Sequence, residues 1–217
     1  SYAFDLTLPG GVPLPVAGVT NVGLLATHRR RGILRALMAH QLDAVAAAAL
    51  AVAVLDASEA AIYGRFGYGM ASRYAVWNIR TDDSAFAAAA PARSVRYVAQ
   101  EEAASVLAPL YDAALPSLPG DVSRVPAWWG LLLGRTSQRK GGGNFYVAVV
   151  DPDPAAGEPG GYVLYTVGAG RDGDMFSVSV RELVSASPDT AAALWRFCLD
   201  VDLASHVTAE VAVERAR

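Results

Sequence analysis

The chain of 217 residues contains a single cysteine, Cys198, so neither an internal disulfide nor a cysteine-rich zinc site can form. A lone thiol fits a reducing compartment, and the cytoplasm is the expected location. Histidine is equally sparse. His28, His40 and His206 show no metal-ligand spacing, so no metal is expected. No uninterrupted apolar run approaches the ~20 residues that a membrane-spanning helix needs, which removes the membrane as an expected partner. Basic residues are not in excess either. With 18 Lys and Arg against 21 Asp and Glu the formal net charge is −3, which withholds the broad positive footprint of a nucleic-acid binder. The opening SYAFDLTLPGG lacks an initiator methionine, a basic n-region and an apolar signal core. A strand-like start running straight into a turn suggests entry in mid-domain, with part of the first domain upstream.

What is present is a composition 53% hydrophobic and 18% charged, which excludes a mainly disordered chain and allows one large domain or two small ones. Two are favoured. Pro15 to Leu25 is rich in Val and Leu and interrupted by Gly18 and Gly23, as in a strand with a bulge. From Gly32 onward Ile33, Leu34, Leu37, Met38, Leu42 and Val45 recur at helical spacing, and Ala51 to Leu55 is a short apolar run of strand length. This predicts a β-α-β unit with a parallel sheet and a right-handed crossover. Ser72 to Ile79 alternates as a further strand, after which the Ala-rich stretch Thr81 to Ser94, with Pro91, suits a linker.

The second half predicts strands at Val95–Ala99, Phe145–Val150, Tyr162–Val167, Met175–Val184 and Val207–Val213. Helices are expected around Glu101–Ala114, Ala127–Thr136 and Asp189–Val201, with turns at Gln138–Gly143 and Asp151–Gly161. Its GGG run at Gly141 lacks the ending and preceding strand of a phosphate loop. The fold class is therefore α+β (α/β), with domains expected at 1–80 and 95–217 joined by a linker at 81–94.

The most informative stretch is THRRRGIL, Thr27 to Leu34. A basic, glycine-containing turn between a strand and an amphipathic helix aims backbone N–H groups and the positive helix end at one point, which suits a pyrophosphate. Arg29, Arg30 and Arg31 add cationic side chains, and Gly32 lets the backbone come close to a ligand. A solvated basic helix start is the alternative reading. Trp128 and Trp129, beside another helix start, are read as packing between domains rather than as a ligand stack.

The segment VGLLATHRRRGILRALM, Val22 to Met38, resembles the cofactor motif of GNAT acetyltransferases, with Arg29 and Gly32 on the general pattern and Leu34 departing from its last position. That departure, and the later segment ASEAAIYGRFGYG from Ala57 to Gly69, are similar to the Eis branch. The resemblance implies two GNAT-like mixed-sheet domains, the first incomplete at its N terminus. It also implies acetyl-CoA as cosubstrate and transfer of acetyl to a primary amine of aminoglycoside, polyamine or lysine type, by a homo-oligomer, a hexamer in that family. Val22, Gly23 and Leu24 would offer backbone groups to the pantetheine arm. Arg30, Arg31, Gly32, Ile33, Leu34 and Arg35 would wrap the pyrophosphate, and Ser58 and Glu59 would lie beside the cofactor. Tyr63 matches the family's general acid, against a core-packing alternative for both Tyr63 and Tyr68, and Ser58 is equally suited to capping the next turn.

The family's general base is the carboxylate of its own C terminus, carried by a third domain. The ending VAVERAR gives Arg217 no such role, so the proton acceptor is unassigned. In the second half SASPD replaces the basic turn, Asp189 would repel phosphate, and Ser187 with Pro188 makes a plain helix start, so only the first half is expected to bind coenzyme A. The competing reading is a non-catalytic acyl-CoA-binding or structural module.

Overall fold

A computed structural model describes residues 1–87, 92–138, 145–170 and 176–212. The GGG turn, Pro91 and the expected strand ends at Met175 and Val213 lie outside them. The chain divides into two compact units, one of Ser1–Ala71 with Pro119–Ser123, the other of Ser72–Leu118 with Arg124–Arg217.

In the first unit β1 (Tyr2–Thr7) pairs antiparallel with β2 (Pro13–Val19), and β2 pairs parallel with β3 (Ala53–Leu55), with α1 (Ile33–Ala47) between them. The expected β-α-β unit is present, but its first strand ends at Val19, well before Leu25. Asn21 adopts φ 55, a left-handed conformation that Asn tolerates and a continuing strand does not. Gly18 stands in regular register opposite Tyr2, without a bulge. Its missing side chain has a packing reason: a Cβ there would come within 2.3 Å of the Phe4 ring. Of the expected apolar stripe on α1, Met38 and Val45 are buried, whereas Leu37 is exposed. The segment Pro119–Ser123 lies along the free edge of β1. The Thr7 amide donates to the Asp121 carbonyl and the Gly120 amide to the Thr7 carbonyl, both at 2.8 Å, and the Asp5 amide donates to Ser123 Oγ at 2.9 Å. Backbone groups of an edge strand are thereby satisfied by a remote stretch of chain.

The second unit is a six-stranded sheet in the order β4-β9-β8-β7-β6-β5, formed by β4 (Tyr74–Arg80), β5 (Arg96–Val98), β6 (Phe145–Val150), β7 (Gly161–Ala169), β8 (Phe176–Ser185) and β9 (Ala204–Ala212). All neighbours are antiparallel except β8 and β9, which α5 (Pro188–Leu199) connects in parallel. Alternation along β6 sorts its side chains onto two cores. Phe145, Val147 and Val149 join α3 (Ala103–Ala114) and Trp129 of α4 (Pro126–Gln138), while Ala148 and Val150 join Leu194 and Cys198 of α5. Strands covered on both faces read as near-continuous apolar runs, as β6 does.

Two boundaries differ from expectation. The strand expected at Ser72–Ile79, at the end of the first domain, is β4 of the second unit: it pairs with β9 along its whole length, and Trp77 packs on Trp195 at 5.7 Å between ring centroids. The described part of the expected linker is attached to the second unit. Thr81 Oγ1 donates to the Ala204 carbonyl at 2.6 Å, Arg196 donates to the Ser84 carbonyl at 2.9 Å, and Phe86 packs against the α5 core. Trp129 is buried in the second unit's own core, edge-on to Tyr111 at 5.8 Å, which replaces its expected role between domains.

Candidate active site

The parallel register sets Val19 beside Leu55, so the segments that follow β2 and β3 leave the same end of the first unit's sheet. Ligands of α/β sheets gather at the carboxyl ends of parallel strands. Two of the expected stretches start there.

After β2 the backbone does not rejoin a ladder. Val22, Gly23 and Leu24 make no hydrogen bond with any described residue. The chain then turns through Ala26–His28, with the His28 amide donating to the Leu25 carbonyl at 2.9 Å and Thr27 Oγ1 bonded to His28 Nδ1 at 2.9 Å. Arg30 takes φ 60 and Gly32 φ 78, two left-handed residues within one turn. The second is easy for glycine; the first costs an arginine on the order of 1 kcal/mol.

Gly32 is the N-cap of α1 and brings no side chain to it, so no side-chain cap bond is made. The amides of Ile33, Leu34 and Arg35 therefore stand at the positive end of a 15-residue helix without a capping partner. Arg29, Arg30, Arg31 and Arg35 are exposed and enter no ion pair with the described residues. Open amides, the helix dipole and unpaired guanidinium groups are together suited to an anion.

After β3, Asp56 to Glu59 leads into α2 (Ala60–Tyr63). Ser58 and Glu59 are exposed; Glu59 is the N-cap position but contributes no side-chain cap, and Ser58 does not cap the turn either. Tyr63 is half-buried at the last position of α2. Gly67 takes φ 90, and its amide donates to the Gly64 carbonyl at 3.1 Å, which brings the chain round so that the Tyr68 amide reaches the Tyr63 carbonyl at 3.4 Å. The two rings meet edge to face at 6.0 Å. The Tyr68 hydroxyl and Gln41 Nε2 on α1 are buried and have no hydrogen-bond partner among the described residues. Burial first, and then neighbouring Tyr63, hold the Tyr68 phenol above its ordinary range. This orphan oxygen carries no sequence signal, because nothing in the spelling of a tyrosine tells whether its oxygen is satisfied.

The second unit has its own parallel β-α-β, β8-α5-β9, and its helix entrance is chemically opposite. Ser187 Oγ accepts from the Thr190 amide at 3.4 Å and donates to the Glu158 carboxylate at 3.2 Å, Pro188 occupies the first turn and Asp189 follows. The second unit also holds a largely buried charge network. Arg124 donates to Glu182 Oε2 at 3.0 Å and pairs with its other oxygen through Nη2; Tyr162 Oη donates to Glu182 at 2.7 Å. The guanidinium lies 3.8 Å from the Tyr111 ring centroid and 4.8 Å from that of Trp129. Burial disfavours its charge, but the hydrogen bonds and charge of Glu182 outweigh burial and raise its proton affinity. Burial, then Glu182, holds the Tyr162 phenol well above its ordinary value. Partners 58 residues apart leave no local signal.

A parallel strand, an uncapped basic helix entrance and a second parallel strand are the parts of a GNAT-type domain, and comparison with known proteins gives that class. Residues 1–71 and 120–216 each match a family model described as acetyltransferase (GNAT) domain. An uncharacterized N-acetyltransferase of Streptomyces coelicolor is 39% identical over 212 residues, covering 95% of this chain and 51% of that protein. The N-acetyltransferase Eis of Mycobacterium tuberculosis is 36% identical over 202 residues, covering 91% of this chain and 48% of that protein. Among solved structures, Eis1 from Mycobacterium abscessus superposes with a TM-score of 0.80 at 33% identity, covering 96% of this chain and 51% of that one. The chain belongs to the GNAT acetyltransferase superfamily and, within it, fits the Eis type. It spans about half the length of the curated relatives it matches.

Proposed function

We propose that the first unit binds acetyl-CoA and that the protein transfers its acetyl group to a primary amine, of aminoglycoside, polyamine or lysine type. The observation that carries this reading is the pairing, at one end of the parallel β2–β3 pair, of the unbonded backbone at Val22–Leu24 with an uncapped helix entrance flanked by Arg30, Arg31 and Arg35. The pantetheine amides would bond Val22, Gly23 and Leu24 as an added strand. The pyrophosphate would sit on the amides of Gly32, Ile33, Leu34 and Arg35 with Arg30 and Arg31 around it, and Ser58 and Glu59 would line the neighbouring edge. The cosubstrate supplies an activated thioester; Tyr63 would protonate the departing sulfur. Its half-buried position leaves the ring held and the oxygen without a described partner. The capped, acidic entrance of α5 supports a second unit that binds no coenzyme A. The reading extends, through the Eis resemblance, to a cytoplasmic homo-oligomer needing neither metal nor nucleic acid. Among the described residues no helix is long and apolar enough to cross a membrane.

Calorimetry with acetyl-CoA, CoA and duplex DNA tests it. Saturable binding of the first two, and none of DNA, is expected. Replacing Arg30 and Arg31 together by Ala should weaken acetyl-CoA binding by a few kcal/mol at most, since charge-assisted hydrogen bonds contribute ~1.5–3 kcal/mol each. Undiminished affinity in a folded double variant would remove the phosphate site from this turn. Binding without any acetyl transfer to amines would leave a non-catalytic acyl-CoA module.

A further inference from the structure

Within the second unit, between the chain entering β5 and the C-terminal half of α5, lies an open groove of about 480 Å³, a volume typical of small-molecule sites. Val95, Ala193 and Phe197 give it an apolar wall, and Tyr97 gives it an aromatic one. Tyr97 is 62% exposed, yet it is held from two sides. Its hydroxyl accepts a hydrogen bond from that of Tyr165 at 3.2 Å, and its ring meets Phe197 edge to face at 5.5 Å. An aromatic surface that faces water in a fixed position is preorganised for a ligand.

The charged groups around the groove differ in what they leave available. Arg93 donates to Glu158 at 3.2 Å and to the Asp151 carbonyl at 3.0 Å; Arg196 donates to Asp200 at 2.8 Å and to the Ser84 carbonyl at 2.9 Å. The two arginine side chains are only 15% and 28% exposed, against 62% for Asp200. Asp202 is exposed and enters no ion pair with the described residues. The turn that carries it is closed by the Ala204 amide donating to the Val201 carbonyl at 3.2 Å, and it holds Leu203 at φ 62, a left-handed conformation that is costly for a bulky side chain. Because α5 ends at Leu199, between Phe197 and Asp200, the negative end of its dipole adds to the same side. The guanidinium groups are engaged within the fold, whereas carboxylate oxygens and a helix C-terminus stay open.

We propose that this groove binds an organic ammonium ion carried on an aliphatic chain, the cation resting between the Asp202 carboxylate and the Tyr97 ring and the chain lying along Val95, Ala193 and Phe197. A carboxylate and an aromatic face both attract an ammonium group, and the apolar wall covers the alkyl body. The site is built from second-unit residues alone and its open charges have the opposite sign to those at the entrance of α1, so it does not depend on the acetyl-CoA reading.

Titration of the isotope-labelled protein with hexylamine, protonated at neutral pH, followed by amide NMR, tests this. The amides of Tyr97, Phe197 and Asp202 should shift saturably, with a Kd of roughly millimolar for so small a probe. Hexanol and hexanoate, which keep the chain and remove or reverse the charge, should leave those signals in place. Asp202→Asn and Tyr97→Leu should each weaken hexylamine binding by about 2–5-fold, as expected for single contacts at an exposed site. Tyr97→Phe, which keeps the ring and loses only the bond to Tyr165, should bind like the parent; this separates the ring's contribution from any disturbance of the strand. Absence of saturable shifts at these amides would overturn the site. Equal shifts with hexanol would reduce it to an apolar surface, and stronger shifts with hexanoate would show that the arginines govern it; either result overturns the cation assignment. So would undiminished hexylamine affinity in both Asp202→Asn and Tyr97→Leu.

Discussion

Arg124 offers the most direct test of the second unit's energetics. Only about a tenth of its side chain is exposed, and that of Glu182 is 19% exposed. Both charges have been taken out of water and hold each other there. Replacing Arg124 by Met keeps an unbranched side chain against Tyr111 and Trp129 but strands the carboxylate. Breaking a buried pair from one side costs about 3–5 kcal/mol, whereas exchanging the whole group for apolar residues is often neutral. At roughly 3 °C per kcal/mol for a unit of this size, Arg124→Met should lower the melting midpoint by ~10–15 °C. Adding Glu182→Leu relieves the stranded charge but leaves the Tyr162 hydroxyl without its acceptor, so full recovery also requires Tyr162→Phe. The triple variant should melt within a few degrees of the parent. Trp129 fluorescence is the natural probe, since the guanidinium lies over its ring. A single variant that loses less than about 1 kcal/mol, or a triple variant as unstable as the single, would refute the claim that the network is held by mutual desolvation.

Gly18→Ala places a methyl 2.3 Å from the Phe4 ring, which is nearly fully buried; denaturant titration should show a loss of about 1–3 kcal/mol, and much less when Phe4→Ala is combined with it. Burial pushes the Cys198 thiol up to about 12 from an ordinary 9.0, so the folded protein should resist iodoacetamide at pH 8 and react at once in denaturant. The same shift fixes a sign: the unfolded thiol releases its proton near pH 9.0 while the folded one holds it to about 12, so stability should fall as pH rises across that window, to a degree read from midpoints of denaturation at each pH.

The second unit's central strands were legible because burial on both faces forces apolar runs that local turn residues interrupt; Phe145–Val150 has the bounds its composition predicts. The alternation of β4 was equally readable, but alternation names a face and not a neighbour. Its partner β9 lies some 130 residues along the chain, so alternation alone extends the first domain to residue 80, whereas the compact units divide between Ala71 and Ser72. The same limit hid Pro119–Ser123 on the edge of β1 and Arg124 beside Glu182. Gly18 was visible as a glycine, but its cause, a ring approaching from the facing strand, is a property of packing. At the candidate site, Gly32 and the arginines were readable because cap chemistry is local. The early end of β2 and the orphan oxygen of Tyr68 were not, since each is a hydrogen bond that is not made.

Those unmade bonds separate the two units more sharply than their folds do. Each contains a parallel strand, a helix and a parallel strand, so geometry alone would let either helix entrance receive a phosphate. The entrance of α5 is closed by its own residues: Ser187 accepts one amide, proline removes another donor, and Asp189 with Glu158 opposes an anion. The entrance of α1 forgoes a cap that would stabilise it by about 1 kcal/mol, and it holds Arg30 in a left-handed conformation of similar cost. A fold keeps such deficits where something outside the chain offsets them. A pyrophosphate meeting three free amides and several unpaired guanidinium groups would do so, whereas a solvated basic surface would need neither the missing cap nor the strained arginine. The energetic asymmetry between two similar helix starts therefore favours a ligand at the first.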